Sequence, residues 1–149
     1  MKKQVLTTVA LLSLLVTLAM SSFANAGRIM VNIPFAFTAG KALLPAGQYT
    51  LEQAGVINNS LLIRSADGKA KAAYVTTMSN DTMRRAESKA KLVFHRYGDT
   101  YFLSQIWEAG SSIVHEVPKT AAERELLKQG RNHLAENATE PEIITVTAQ

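Results

Sequence analysis

The chain has 149 residues and contains no cysteine. That absence excludes a disulfide framework and removes the acylated cysteine of a lipoprotein. Past residue 26 no stretch is long and apolar enough to cross a bilayer, which takes roughly 20 residues in a helix. Signature motifs are missing as well. There is no G-x-S-x-G, no H-E-x-x-H and no calcium-binding loop. Gly40-Lys41 does not complete a phosphate loop, because Phe35 stands where the first glycine belongs and Ala42 replaces the Ser or Thr that would bind magnesium. Nothing nominates a metal, a cofactor or a catalytic carboxylate pair. Excess charge is small too. The formal net charge is +4, and it falls to +2 without Lys2 and Lys3. That is not the footprint of a nucleic-acid binder.

What is present begins with a leader. Lys2 and Lys3 precede a mostly apolar run from Val5 to Met20, followed by Ala24-Asn25-Ala26. Positive start, apolar middle and small-residue site are the three parts of a secretory signal peptide. Residues 1–26 are therefore expected to be removed, and the chain to be exported to the periplasm or the medium. Without disulfides, an exported domain of this size must rely on its core, and it is large enough to bury one.

The mature region reads as short strands punctuated by turns. Arg28 to Ile33 is extended and stops at Pro34, which cannot donate to a ladder. Ala39-Gly40-Lys41 marks a turn. Leu44-Pro45-Ala46-Gly47 fits a type I turn, with proline presetting the second position and glycine in the fourth. Tyr49 and Leu51 then alternate with Gln48, Thr50 and Glu52, as in a half-buried strand. Asp67-Gly68 between Ser60–Ser65 and Ala70–Met78 predicts a hairpin, with Leu61 opposite Tyr74 and Ile63 opposite Ala72. Lys91–Arg96 and Tyr101–Trp107 form a second hairpin, and Ile113–Val117 a third strand. Thr120-Ala121-Ala122-Glu123 is a capping box. It predicts a helix over about 120–129, closed by Gly130 and lying on the sheet through a narrow stripe of Ala122, Leu126 and Leu127. Residues 131–149 read as a polar tail with an edge strand available at 143–147. The expected fold is all-β and mainly antiparallel: a small β-sandwich or barrel-like domain over 27–130 with one short C-terminal helix.

Two groups of side chains are candidates for function. With two-residue loops throughout the meander, His95, Ser104 and His115 share one face at cross-strand distances of roughly 5 to 8 Å. That could place a serine beside a base. No carboxylate on that face completes the set, since Glu116 points the other way, and two histidines alone do not make a metal site. A one-residue slip separates the three. The same register gives the sheet two apolar faces. Val93, Phe102, Ile106, Ile113 and Val117 form one; Leu92, Phe94, Leu103, Trp107 and Val114 form the other. Both should then be covered. The second group is a set of ligand-binding candidates. Arg84, Arg85, Lys89 and Lys91 cluster around a lone Glu87 and suit an anionic partner; Phe94, Tyr101 and Trp107 suit an apolar one if their face is open.

"VNIPFAFTAGKALLPAGQYTLEQ", "LLIRSADGKAKAAYVTT", "KLVFHRYGDTYFLSQIW" and "HEVPKTAAEREL" together resemble a group of small exported proteins of acidobacteria and similar soil bacteria. The likeness runs from about Val31 to Leu127. The group has no assigned activity, so the resemblance implies export and a compact β-rich domain and transfers no site. The functional expectation is a non-catalytic binding or interaction module of the envelope or extracellular space. An envelope component, a saccharide or another protein are its possible partners. The alternatives are a small hydrolase using the Ser/His cluster, and a self-assembling envelope protein pairing through an edge at Ile143–Thr147.

Overall fold

A computed structural model describes residues 28–54, 59–68, 72–133 and 140–149. The leader lies outside the described residues. Among the described residues the chain is mostly antiparallel strand, with one helix near its C-terminus. Four strands make the first sheet: β1 (Arg28–Ile33), β4 (Gly47–Gln53), β5 (Ser60–Ser65) and β6 (Ala73–Thr76), in that order. The second sheet runs β11 (Glu142–Thr147), β8 (Lys91–Tyr97), β9 (Thr100–Trp107), β10 (Ile113–Glu116) and β7 (Met78–Asp81). A hairpin of β2 (Phe37–Ala39) and β3 (Ala42–Leu44) joins it through a parallel contact of Thr38 with Phe102.

Two links bring the sheets together. β6 leads into β7 through a single residue, Thr77, so one extended run serves both sheets. At the other side the Gln149 amide donates to the Met30 carbonyl, tying the end of β11 to β1. Between the sheets lies one core that includes Val31, Ile33, Phe37, Tyr49, Leu51, Ile63, Leu92, Phe94 and Ile106. Tyr49 and Leu51 are buried as their alternation predicts, and the Tyr49 hydroxyl donates to the Pro45 carbonyl at 2.6 Å. The turn and the strand it launches are thus fastened to each other. Gly40 turns the β2–β3 hairpin at a φ of 58°, and a Cβ there would lie 3.3 Å from the Tyr74 carbonyl oxygen. Position 40 therefore favours glycine on both counts.

Register departs from expectation in three places. In the β5–β6 hairpin Leu61 pairs with Val75 and Ile63 with Ala73, one residue from the predicted partners. With this register Tyr74 faces solvent at 73% exposure. In the β8–β9 hairpin the two-residue turn Gly98-Asp99 holds, and His95 lies opposite Phe102 as predicted. A bulge then intervenes: Phe94 pairs with Leu103, but Val93 pairs with Gln105, leaving Ser104 as the extra residue. Beyond the bulge the strand is turned over. Ile106 and Val117 join Leu92, Phe94 and Leu103 in the core, whereas Trp107 and Val114 pack with Val93 on the outer face. Both faces are covered, with the predicted memberships exchanged past Ser104, except that Ile113 is left 42% exposed. The third departure is β10, where His115 lies opposite Ile106 instead of Ser104.

The helix, α1 (Ala121–His133), continues through Gly130. Glycine weakens a helix by about 1 kcal/mol relative to alanine but does not forbid it. The edge strand expected at 143–147 is present as β11, its Ile144 and Val146 packed against the core.

Phe37 is completely buried and meets Tyr49 and Phe94 edge to face, at ring separations of 5.3 and 5.4 Å. Phe37→Ala should lower unfolding stability by about 3–5 kcal/mol, the usual cost of a deleted core ring. Urea denaturation followed by Trp107 fluorescence measures it; a loss below about 1 kcal/mol would mean the core does not close around this ring.

Candidate functional site

The ligand-binding candidates divide sharply. Phe94 is fully buried and Trp107 nearly so, so neither is open to a ligand. The inversion past the bulge explains why they do not share a face: Phe94 points inward and Trp107 outward. Tyr101 is half-buried and stacks on Phe35 with ring centres 4.0 Å apart. Lys91 is committed as well. Its Nζ lies 2.7 Å from Glu87 Oε1 and 4.9 Å from the centre of the Trp107 ring.

Arg84, Arg85 and Lys89 remain. All three are exposed, and none has a carboxylate partner among the described residues. By contrast, each basic residue on a strand is paired: Arg28 and Arg64 with Glu52, Lys91 with Glu87, Arg96 with Glu142. The segment carrying the three is anchored at its start. Thr82 donates from both its amide and its hydroxyl to the Ser112 carbonyl, and the Met83 amide donates to Asp81 Oδ1. Met83 sits at a φ of 51°, unusual for a residue with a side chain, and is 96% exposed beside the two arginines. Lys89 also borders a hollow of about 470 Å³ where β1 meets the chain's C-terminal end, with Arg28, Met30, Glu108 and Gln149 on its walls.

The Ser/His candidates fare differently. His95 and Ser104 do come together: Ser104 Oγ lies 3.0 Å from His95 Nε2. Alternation alone puts them on one face, as the sequence predicts; the bulge adds Gln105 to the same hollow on the outer face. His115 is separated from them. It is buried opposite Ile106, with Nδ1 3.1 Å from Ser79 Oγ and Nε2 3.3 Å from Glu108 Oε1. Glu116, expected to point away, lines the hollow beside His95 and Ser104.

Sequence reasoning missed the residue that completes the cluster. Glu123 Oε1 lies 2.8 Å from His95 Nδ1, and the Tyr97 hydroxyl donates to the same oxygen at 3.1 Å. The capping box had assigned this side chain to the helix end. Half of that box forms, with the Glu123 amide donating to Thr120 Oγ1 at 3.1 Å. The carboxylate instead turns down onto the sheet and is 4% exposed. A Glu three residues after a cap, following a strand-ending Pro118, was the available signal. What it lacked was the helix's position over β8. In a neutral imidazole, a proton on Nδ1 facing the Glu123 carboxylate leaves Nε2 to accept from Ser104.

Burial, the Glu123 charge and the hydrogen bond to it together push the Tyr97 hydroxyl up from 10.0 to about 12. The folded state therefore holds this proton where the unfolded chain releases it. The stabilisation is complete below pH 10 and is lost as pH rises toward 12. Tyr97→Phe should flatten the alkaline limb of a stability-against-pH curve between those values. Identical limbs for the two proteins would show that the folded state does not hold the Tyr97 proton more tightly than the unfolded chain.

No family model, curated protein or solved structure matches the chain.

Proposed function

We propose that the chain is an exported binding module that attaches to an anionic surface of the cell envelope through the segment 82–90. Support for export comes from Lys2, Lys3, the apolar run and Ala24-Asn25-Ala26. The observation that carries the binding reading is the contrast in pairing. Strand cations are neutralised by carboxylates, while Arg84, Arg85 and Lys89 stand exposed and unpaired on an anchored loop. Arginine suits phosphate through its planar fork of donors. Met83 between strand and arginines offers an apolar tip, and its left-handed backbone holds that tip out at a conformational cost. Cations flanking an exposed apolar side chain match an interface of phosphate headgroups over acyl chains.

Each cation near such a surface contributes about 1 kcal/mol. Replacing all three by glutamine should weaken partitioning roughly 100-fold. The measurement is co-sedimentation of residues 27–149 with vesicles containing phosphatidylglycerol, compared with phosphatidylcholine alone. Binding should require the anionic lipid and fall steeply with salt. Equal binding by Arg84→Gln/Arg85→Gln/Lys89→Gln, or none at low salt, would overturn the assignment.

A further inference from the structure

We propose that Ser104 is an activated nucleophile and that the hollow beside it accepts small carboxylic esters. This site is separate from the segment 82–90 and does not depend on it. Ser104, His95 and Glu123 are connected in the order that nucleophilic catalysis requires, Oγ to Nε2 at 3.0 Å and Nδ1 to Oε1 at 2.8 Å. Exposure rises along the chain of groups. The Glu123 side chain is 4% exposed, the His95 side chain 16%, and Ser104 is half-buried at the rim of a hollow of about 350 Å³. The carboxylate is thus shielded from water and the hydroxyl is reachable. Tyr97 and Thr120 hold Glu123 in place, so the imidazole is oriented before any ligand arrives.

The bulge gives a second, independent reason to single out Ser104. Bulges re-aim side chains and recur beside active sites. Here the bulge puts Gln105 next to the serine, and the Trp107 indole N–H donates to Gln105 Oε1 at 3.2 Å. That bond leaves the Gln105 amide N–H groups as donors. Together with the Lys119 ammonium on the same wall, they can stabilise an oxyanion. Pro118 and Met78 form the apolar side that suits a short acyl chain; Glu116 is also on the wall and disfavours anionic substrates.

The chemistry is acyl transfer to water. Ser104 Oγ attacks the ester carbonyl carbon while its proton passes to His95 Nε2. The carbon–oxygen bond to the alcohol breaks, His95 returns the proton to the leaving oxygen, and the acyl group stays on Ser104. Water then attacks the acyl carbon, giving a proton to His95, and the acid departs as the bond to Oγ breaks and the proton returns to the serine. Glu123 touches no reacting atom and acts as a positioning residue.

The structure holds its own control. Ser79, His115 and Glu108 also form a chain, but Ser79 bonds to Nδ1, and the carboxylate is open to solvent at 34% exposure. That arrangement has no shielded acid to orient the ring.

The test is adduct formation with a fluorophosphonate, located by mass spectrometry on residues 27–149, alongside hydrolysis of p-nitrophenyl acetate. The adduct should sit on Ser104, vanish in Ser104→Ala and persist in Ser79→Ala. His95→Gln should slow labelling by about 100-fold or more, the usual contribution of a general base. Glu123→Gln should keep the labelling but change its pH profile, because the carboxylate that fixes the proton on Nδ1 is gone. Thermal unfolding of each variant shows whether it is folded. A folded wild-type protein that forms no adduct at Ser104, or labels equally at Ser79, would overturn the proposal.

Discussion

One extra residue in β9 governs much of what the second sheet does. Side chains alternate along a strand, so inserting Ser104 without a partner on β8 reverses the remainder of the strand. Before the insertion Leu103 points into the core; after it, Ile106 does, three residues on. Trp107 is thereby carried to the outer face with Val93 and Val114. A regular ladder would have put Ile106 outside and the large indole inside, against Leu92 and Phe94. The same residue that permits this packing is the one presented to His95. A single irregularity thus turns Ile106 into the core and brings Gln105 to the face that already holds His95 and Ser104.

The outer polar cluster in turn explains why a helix with so little apolar surface stays where it is. Leu126 and Leu127 are only half-buried, so area burial holds α1 weakly. Glu123 is different. A buried carboxylate without partners is costly, whereas one accepting from an imidazole and a phenol is compensated. Those partners, His95 and Tyr97, are both on β8. The helix is therefore located by hydrogen bonds of defined length and direction more than by its apolar stripe.

Much of this was legible in the sequence, and the misses have a common cause. Pro34, Pro45 with Gly47, Gly98 with Asp99, and Pro118 act locally, and the elements they bound appear where expected: β1, β4, the β8–β9 turn and the end of β10. The Tyr49/Leu51 alternation named the buried side correctly, because one strand's period suffices for it. Errors arose where two segments had to be aligned. Nothing in "FLSQIW" announces a bulge, and nothing in the composition of β5 and β6 fixes their register to the residue. His115 was placed beside Ser104 on the assumption of unbroken register and lies opposite Ile106 instead. Glu123 was invisible as a partner for His95, since 28 residues separate them and only the docked helix joins them.

These distinctions also decide which position can tell a structural tie from a reactive site. Glu123 cannot, because it both docks the helix and orients the imidazole, and its loss disturbs both. His95 is little better, being the acceptor's main partner. Ser104 stands apart. It bonds to the far nitrogen of the ring and does not reach the helix. Its backbone carbonyl, which accepts from the Val117 amide at 2.8 Å, is unchanged by truncating the side chain. Removing the hydroxyl leaves His95–Glu123, Tyr97–Glu123 and the β9–β10 contact in place. A network serving only to hold α1 would lose one peripheral bond; a nucleophilic site would lose its reacting atom. Its place at the end of the cluster, bonded to Nε2 while Glu123 holds Nδ1, is thus what makes the two readings physically separable.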